Sequence, residues 1–172
     1  MRYNSATALN IALSRHSSGE GKYVGVGIAA MAASLEERLS QVECGQDFSF
    51  AGQQFLAKIV DYYDGDTVRV AFEHGGRIVQ YRARLAGYDS PEMKPPMGNP
   101  DRAAEKTAAV AARAALIGKV GGGLVHLECG EFDKYGRLLV TVRLHGGEVV
   151  NDWMVANGHG IPYDGGKKTP FH

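Results

Sequence analysis

The chain has 172 residues, 44% hydrophobic and 22% charged, with 19 basic residues balancing 19 acidic ones. That composition suits a water-soluble globular protein of one domain with room for an appendage. It excludes binding driven by overall positive charge, although a phosphate site needs only a local cluster of Lys and Arg. No stretch reaches the roughly 18 apolar residues of a membrane span. The two cysteines, Cys44 and Cys129, and the six histidines form neither a disulfide framework nor a zinc-spaced ligand set.

The first residues, "MRYNSATALNIALSRHSSG", lack acids and carry Arg2 and Arg15, a weak likeness to an organelle transit peptide. The apolar run Val24–Ala33 is short, contains glycine and starts too far in for a simple signal peptide. Residues 1–47 are expected to be an N-terminal extension, flexible or partly helical, with Met31 suited to be a start in its own right. An intracellular setting is expected. From Met31, "MAASLEERLSQVECG" has the pattern of a short helix ending at Gly45.

Beyond it the pattern becomes that of strands. "FLAKIVDYY" reads as one strand. "TVRVAFE", a "HGG" turn and "RIVQYRARLAG" read as a hairpin. On its second arm Val79, Tyr81, Ala83 and Leu85 share one face, and Gln80, Arg82 and Arg84 share the other. "NPDRAAEKTAAVAARAALIGK" predicts a helix, with Asn99 as cap, Pro100 at its first position and Gly118 at its end. "GLVHLEC" and "RLLVTVRL" are further strands, with Cys129 a small buried hydrophobe. "VVNDWMVANG" predicts a short helix capped by Asn151, stapled by Val150 and Val155, with Gly158 beyond its end. His126 and His159 are expected to be structural. Five strands with one interposed helix suit a small, partly open barrel of the OB type, an α+β and mainly β fold over residues 48–172.

Chemistry gathers at two turns, "YDGDT" and "ARLAGYDSPEMK". Asp66 and Asp89 are short carboxylates at strand ends, suited to a hard cation. Glu92, three residues past Asp89, is placed to orient or deprotonate a water. Arg84 and Arg137 are planar, permanently charged donors matched to phosphate oxygens. Each piece has an ordinary explanation: Asp-Gly pairs make turns, "SPE" starts helices, and an arginine opening a strand is commonly solvated.

In combination, "DGDTVRV", "RLAGYDSPE", "FDKYGRLL" and "VNDWMVANGHG" resemble the staphylococcal-nuclease-like (thermonuclease) family, in the family's order, from about Phe55 to Tyr163. The resemblance implies an OB-fold five-stranded barrel and a calcium-dependent, sugar-nonspecific nuclease that hydrolyses phosphodiester bonds of DNA and RNA. Single strands would be preferred, and water would attack phosphorus with departure of the 5′-oxygen. It implies metal ligation by Asp66, Asp89 and the backbone carbonyl of Ser90, where many members have threonine. Arg84, Arg137 and Glu92 take catalytic places, and Lys134, Tyr135 and Tyr163 substrate-binding ones. Magnesium or manganese would use the same oxygen ligands as Ca2+. A monomer with no membrane partner is expected. The loop "MKPPMGNPDR" departs from the family's lysine-rich loop, residues 1–50 have no counterpart, and the C-terminal helix of the secreted bacterial enzymes is not expected here. The alternative is a non-catalytic OB-type module that binds nucleic acid or protein; such scaffolds typically lose site acids or arginines, whereas all five are present here.

Overall fold

A computed structural model of the chain describes residues 34–45 and 47–166. The transit-peptide likeness, the apolar run at Val24–Ala33 and the start of the first predicted helix lie outside those residues. The chain divides into two compact units, 1–45 and 46–172. In the first, α1 (Leu35–Ser40) opens on a capping box: Glu37 N–H donates to the Ser34 hydroxyl, and Ser34 N–H to the Glu37 carboxylate. This helix stops at Ser40 rather than running to Gly45.

The second unit holds a closed barrel of five strands, β1 (Gln54–Tyr62), β2 (Thr67–His74), β3 (Arg77–Leu85), β5 (Leu124–Phe132) and β6 (Leu138–Arg143), in the order β1-β2-β3-β6-β5, with β1 also paired to β5. A two-stranded sheet, β4 (Tyr88–Asp89) with β7 (Ile161–Pro162), accompanies α2 (Arg102–Val120) and α3 (Val150–Ala156). The fold is thus α+β and mainly β, as expected, and closure leaves the barrel no free sheet edge. β3 and β6 run parallel, and every other barrel pairing is antiparallel.

Alternation builds the core. In β2, Val68, Val70 and Phe72 point inward; in β6, Leu138, Val140 and Val142 do so. The predicted faces of β3 are those observed, with one departure: Arg84 belongs to the outward set yet is buried. Cys129 is buried, as expected of a small hydrophobe, and burial pushes its thiol up to about 11.

Two helix boundaries differ from expectation. α2 starts at Arg102, because Asn99 uses its side chain ahead of the helix, accepting from Asp101 N–H and donating to Glu105. Gly118 lies inside the helix, which ends at Gly121, where a φ of 67° takes the left-handed turn that glycine tolerates. α3 is not capped by Asn151. That residue sits within the helix, and its amide accepts from Val142 N–H and donates to the carbonyls of Ala86 and Val140. It clamps β6 to the segment that follows β3. With Val149 at the N-cap, Val150 is the first helical residue, not the one before the cap, so the predicted staple does not form. His126 is exposed, with its ring 6.5 Å from that of His145.

Candidate active site

The Asp64–Thr67 turn joins β1 to β2 and is shaped by its own carboxylate. Asp64 Oδ1 accepts the N–H groups of Asp66 (3.1 Å) and Thr67 (2.7 Å). Gly65 between the two acids answers a space requirement. A Cβ there would lie 2.8 Å from the Ala112 Cβ on α2 and 2.9 Å from that of Ser90. Its carbonyl accepts the Tyr88 hydroxyl at 2.6 Å, so this turn, α2 and the Asp89 loop pack as one.

At the centre is Arg84, buried near the end of β3. Its Nη1 donates to Asp66 Oδ2 (2.6 Å), and its Nη2 to Asp89 Oδ1 (2.8 Å) and to the Tyr88 carbonyl (3.0 Å). Asp66 and Asp89 are 3% and 2% exposed. Burial alone would lower the Arg84 pKa, but the two carboxylates outweigh it and hold the guanidinium above its ordinary value. Ser90, also buried, donates its N–H to Asp66 Oδ2 at 3.1 Å, which ties the expected carbonyl ligand to the same carboxylate cluster. Asp64 makes a third buried carboxylate, and desolvation together with the Asp66 charge raises it to about 7.

Arg137 reaches the cluster from the β5–β6 turn. Its Nε donates to Asp133 Oδ2 (2.7 Å), and its Nη1 to the Thr67 hydroxyl (3.2 Å), which itself donates to Asp66 Oδ1 (2.8 Å). Asp133 Oδ1 accepts the N–H groups of Tyr135 and Arg137, closing the "DKYGR" turn. Burial would raise the Asp133 pKa, but these hydrogen bonds and the Arg137 charge prevail and lower it.

A cleft of about 800 Å³ opens beside Arg84 and Arg137, lined also by Lys134, Tyr135 and Tyr163. The Tyr163 ring lies 5.7 Å from the Arg84 guanidinium carbon, and the Tyr135 ring 5.5 Å from that of Arg137. Pairing of β4 with β7, and a Tyr163 N–H bond to the Gly87 carbonyl, hold Tyr163 in place. Glu92 is half-buried three residues past Asp89, with its N–H on Glu105, and does not line the cleft.

The structure therefore brings Asp66, Arg84, Asp89 and Ser90 into direct contact, joins Arg137 through Thr67, and sets Lys134, Tyr135 and Tyr163 around one opening. Sequence reasoning missed Thr67, Asp133 and Tyr88. Asp133 had a signal, since an Asp opening a glycine-containing turn tends to bond the backbone ahead of it. Tyr88 had none, because its partner is 23 residues away. Among the described residues no three His, Cys, Asp or Glu side chains are arranged to hold a metal ion, and no helix is long and apolar enough to cross a membrane. No protein-family model matches the chain, and no curated protein matches it.

Proposed function

We propose that this barrel is of the OB type and that the protein is a metal-dependent, sugar-nonspecific nuclease of the staphylococcal-nuclease-like kind, acting on DNA and RNA. The observation that carries this reading is the Asp66–Arg84–Asp89 cluster, coupled through Thr67 to Arg137 and open to a cleft with Lys134 and two tyrosines. Burying charges is costly, and replacing a buried ion pair with apolar side chains is commonly neutral or stabilising. Such a cluster therefore makes more sense as chemistry than as support for the fold.

The donor set fits a hard cation. Two buried carboxylates, Asp66 and Asp89, share the single buried guanidinium of Arg84, so the cluster is short of one positive charge. Asp66 and Asp89 would hold the ion, with Ser90 contributing its carbonyl as the resemblance implies. Because the protein offers no closed cage here, water and substrate phosphate would complete the shell. When bound, a divalent ion, calcium by the resemblance, supplies positive charge against the charge that builds on phosphorus.

The remaining chemistry belongs to the chain. Arg84 uses three of its five N–H groups on Asp66, Asp89 and Tyr88, leaving two for phosphate oxygens. Arg137 is held by Asp133 with donors to spare. Both arginines are fixed in advance, so little reorganisation opposes them as charge develops. Glu92, half-buried beyond the cleft wall, takes by the resemblance the part of accepting a proton from the attacking water. That oxygen bonds to phosphorus, the bond to the 5′-oxygen breaks, the departing oxygen takes a proton from solvent, and 3′-phosphate and 5′-hydroxyl products result. Lys134, Tyr135 and Tyr163 hold phosphate and base with little sequence preference.

The test is hydrolysis of single-stranded DNA with a panel of calcium, magnesium and manganese. Ion-dependent cleavage that chelator stops, while the fold persists, is the expected result. Binding of DNA with no cleavage under any ion would reject the enzyme and leave a non-catalytic binding module.

A further inference from the structure

We infer that single-stranded polynucleotide leaves the candidate active site along the outer face of the β2–β3 hairpin, through a second hollow whose phosphate contacts are Arg69 and Arg82. The choice of polynucleotide rests on the nuclease reading above.

The ladder places Thr67 opposite Arg84 and, one step further along the same face, Arg69 opposite Arg82. Same-face residues two apart on a strand are about 6.6 Å apart, so the second rank adjoins the first. Like charges directly opposite one another destabilise a strand pair. Among the described residues neither Arg69 nor Arg82 forms an ion pair or a side-chain hydrogen bond that would offset that cost directly. The nearest acid in the ladder is Asp61, opposite Arg69, and its Oδ1 accepts the N–H of Tyr62. A register shift between Ile59 and Asp61 interrupts the β1–β2 ladder here, and Asp61 lines the same hollow as the arginines, one acid against two bases.

The two arginines are not simply surface charges. They line a hollow of about 390 Å³ together with Asp61, Tyr63, Thr67 and Val68. Thr67 is the shared wall: it faces this hollow and also accepts from Arg137, which lines the catalytic cleft. Tyr63, 48% exposed, stands beside the paired arginines and offers a ring for a base to stack on. A basic pair, an exposed ring and continuity with the catalytic arginines are the elements that backbone-tracking single-strand sites use, and none of them reads base identity. The cleft around Lys134 and Tyr163 adjoins this hollow through the Thr67–Arg137 contact, so a strand can occupy both with one phosphodiester at the divide.

The experiment measures affinity for fluorescein-labelled oligothymidylate against salt concentration, in chelator, by anisotropy. Arg69→Ala and Arg82→Ala are each expected to flatten the log–log salt slope by about 0.7, and the double variant by about 1.4, as counterion release from single strands requires. Arg77→Ala removes an exposed arginine at the far end of the same hairpin and serves as the charge control, with no change of slope expected. Tyr63→Ala is expected to weaken binding roughly 5- to 150-fold at an unchanged slope, the signature of lost stacking. All the altered side chains are exposed, and thermal melts verify that the variants fold. A double variant with the wild-type slope, Tyr63→Ala with the wild-type affinity, or a wild-type protein that binds no oligothymidylate overturns the proposal. Wild-type hydrolysis of the same oligonucleotide with calcium is scored in parallel. Cleavage with an unaltered double-variant slope sinks the track and leaves the nuclease; a flattened slope without cleavage under any ion does the reverse.

Discussion

The two ends of β2 are built from opposite materials. At His74 the hairpin meets a cluster of rings centred on Phe50, which is fully buried and packs edge-on against Phe48, Phe55, Phe72, His74 and Tyr81 at 4.7–5.6 Å. At Thr67 the same strand meets Asp66, Arg84 and Asp89, equally buried and wholly charged. The aromatic end gains from area removed from water and from ring geometry. The charged end must recover the desolvation of every ion through its partners, and an apolar replacement would serve the fold as well or better. One end explains why the barrel holds together. The other is the end on which the proposed function rests.

The largest expected effects separate those two ends. Arg84→Met leaves Asp66 and Asp89 buried without their guanidinium, and stability is expected to fall by about 3–5 kcal/mol. Phe50→Ala removes the hub of the ring cluster and is expected to cost about the same, 3–5 kcal/mol. The distinction lies in their response to calcium. An ion at the carboxylates stabilises the folded state by mass action, so calcium is expected to recover part of the Arg84→Met loss and to add nothing specific to Phe50→Ala beyond its effect on wild type. Urea unfolding with and without calcium reads both. An Arg84→Met protein as stable as wild type, or equal calcium responses in the two variants, would erase the contrast.

Next in size is Arg137→Ala, which tests whether the charged end does chemistry. Arg137 is half-buried and belongs to neither the core nor the buried pairs, so its loss is expected to leave the melting temperature nearly unchanged. Turnover is expected to fall roughly 100- to 1,000-fold, the usual cost of losing one fixed donor to developing charge. Steady-state hydrolysis beside circular dichroism decides it. A folded variant within a few-fold of wild-type rate removes Arg137 from the mechanism.

The same contrast governs how far each end could be read in advance. The barrel was legible because alternation repeats along each strand: Val79, Tyr81, Ala83 and Leu85 fall on one face of β3 by period alone. The order of Asp66, Arg84, Asp89 and Arg137 was legible because turn residues and short carboxylates stand out locally. What each residue touches was not. Arg84 reads as an outward, solvated residue by period, and only the folding of the Asp89 loop over it makes it buried. Asn151 reads as a helix cap because Asn commonly is one, and its capture by Val142, Ala86 and Val140 depends on where β6 passes. The ring cluster escaped notice for the same reason, since Phe48, Phe72 and Phe132 converge only when the barrel closes.

The smallest effect concerns the turn that carries Arg137. Asp133 has its pKa lowered in the folded state by the Arg137 and Tyr135 N–H bonds and by the Arg137 side chain. A carboxylate depressed in this way stabilises the fold fully above its unfolded value, about 3.9, and that contribution drains away as pH falls through the lower folded value. Asp133→Asn keeps an acceptor for the two backbone N–H groups but removes the charge facing Arg137. The variant is therefore expected to be less stable than wild type at neutral pH by under about 1 kcal/mol, as befits a partly solvated ion pair. The gap should narrow below pH 4, where the wild-type carboxylate takes up its proton. Urea midpoints of the two proteins from pH 7 down to 2.5 measure it. A gap that stays constant across that range would mean that Asp133 holds the turn by shape alone, and that the position of Arg137 owes nothing to its ion pair.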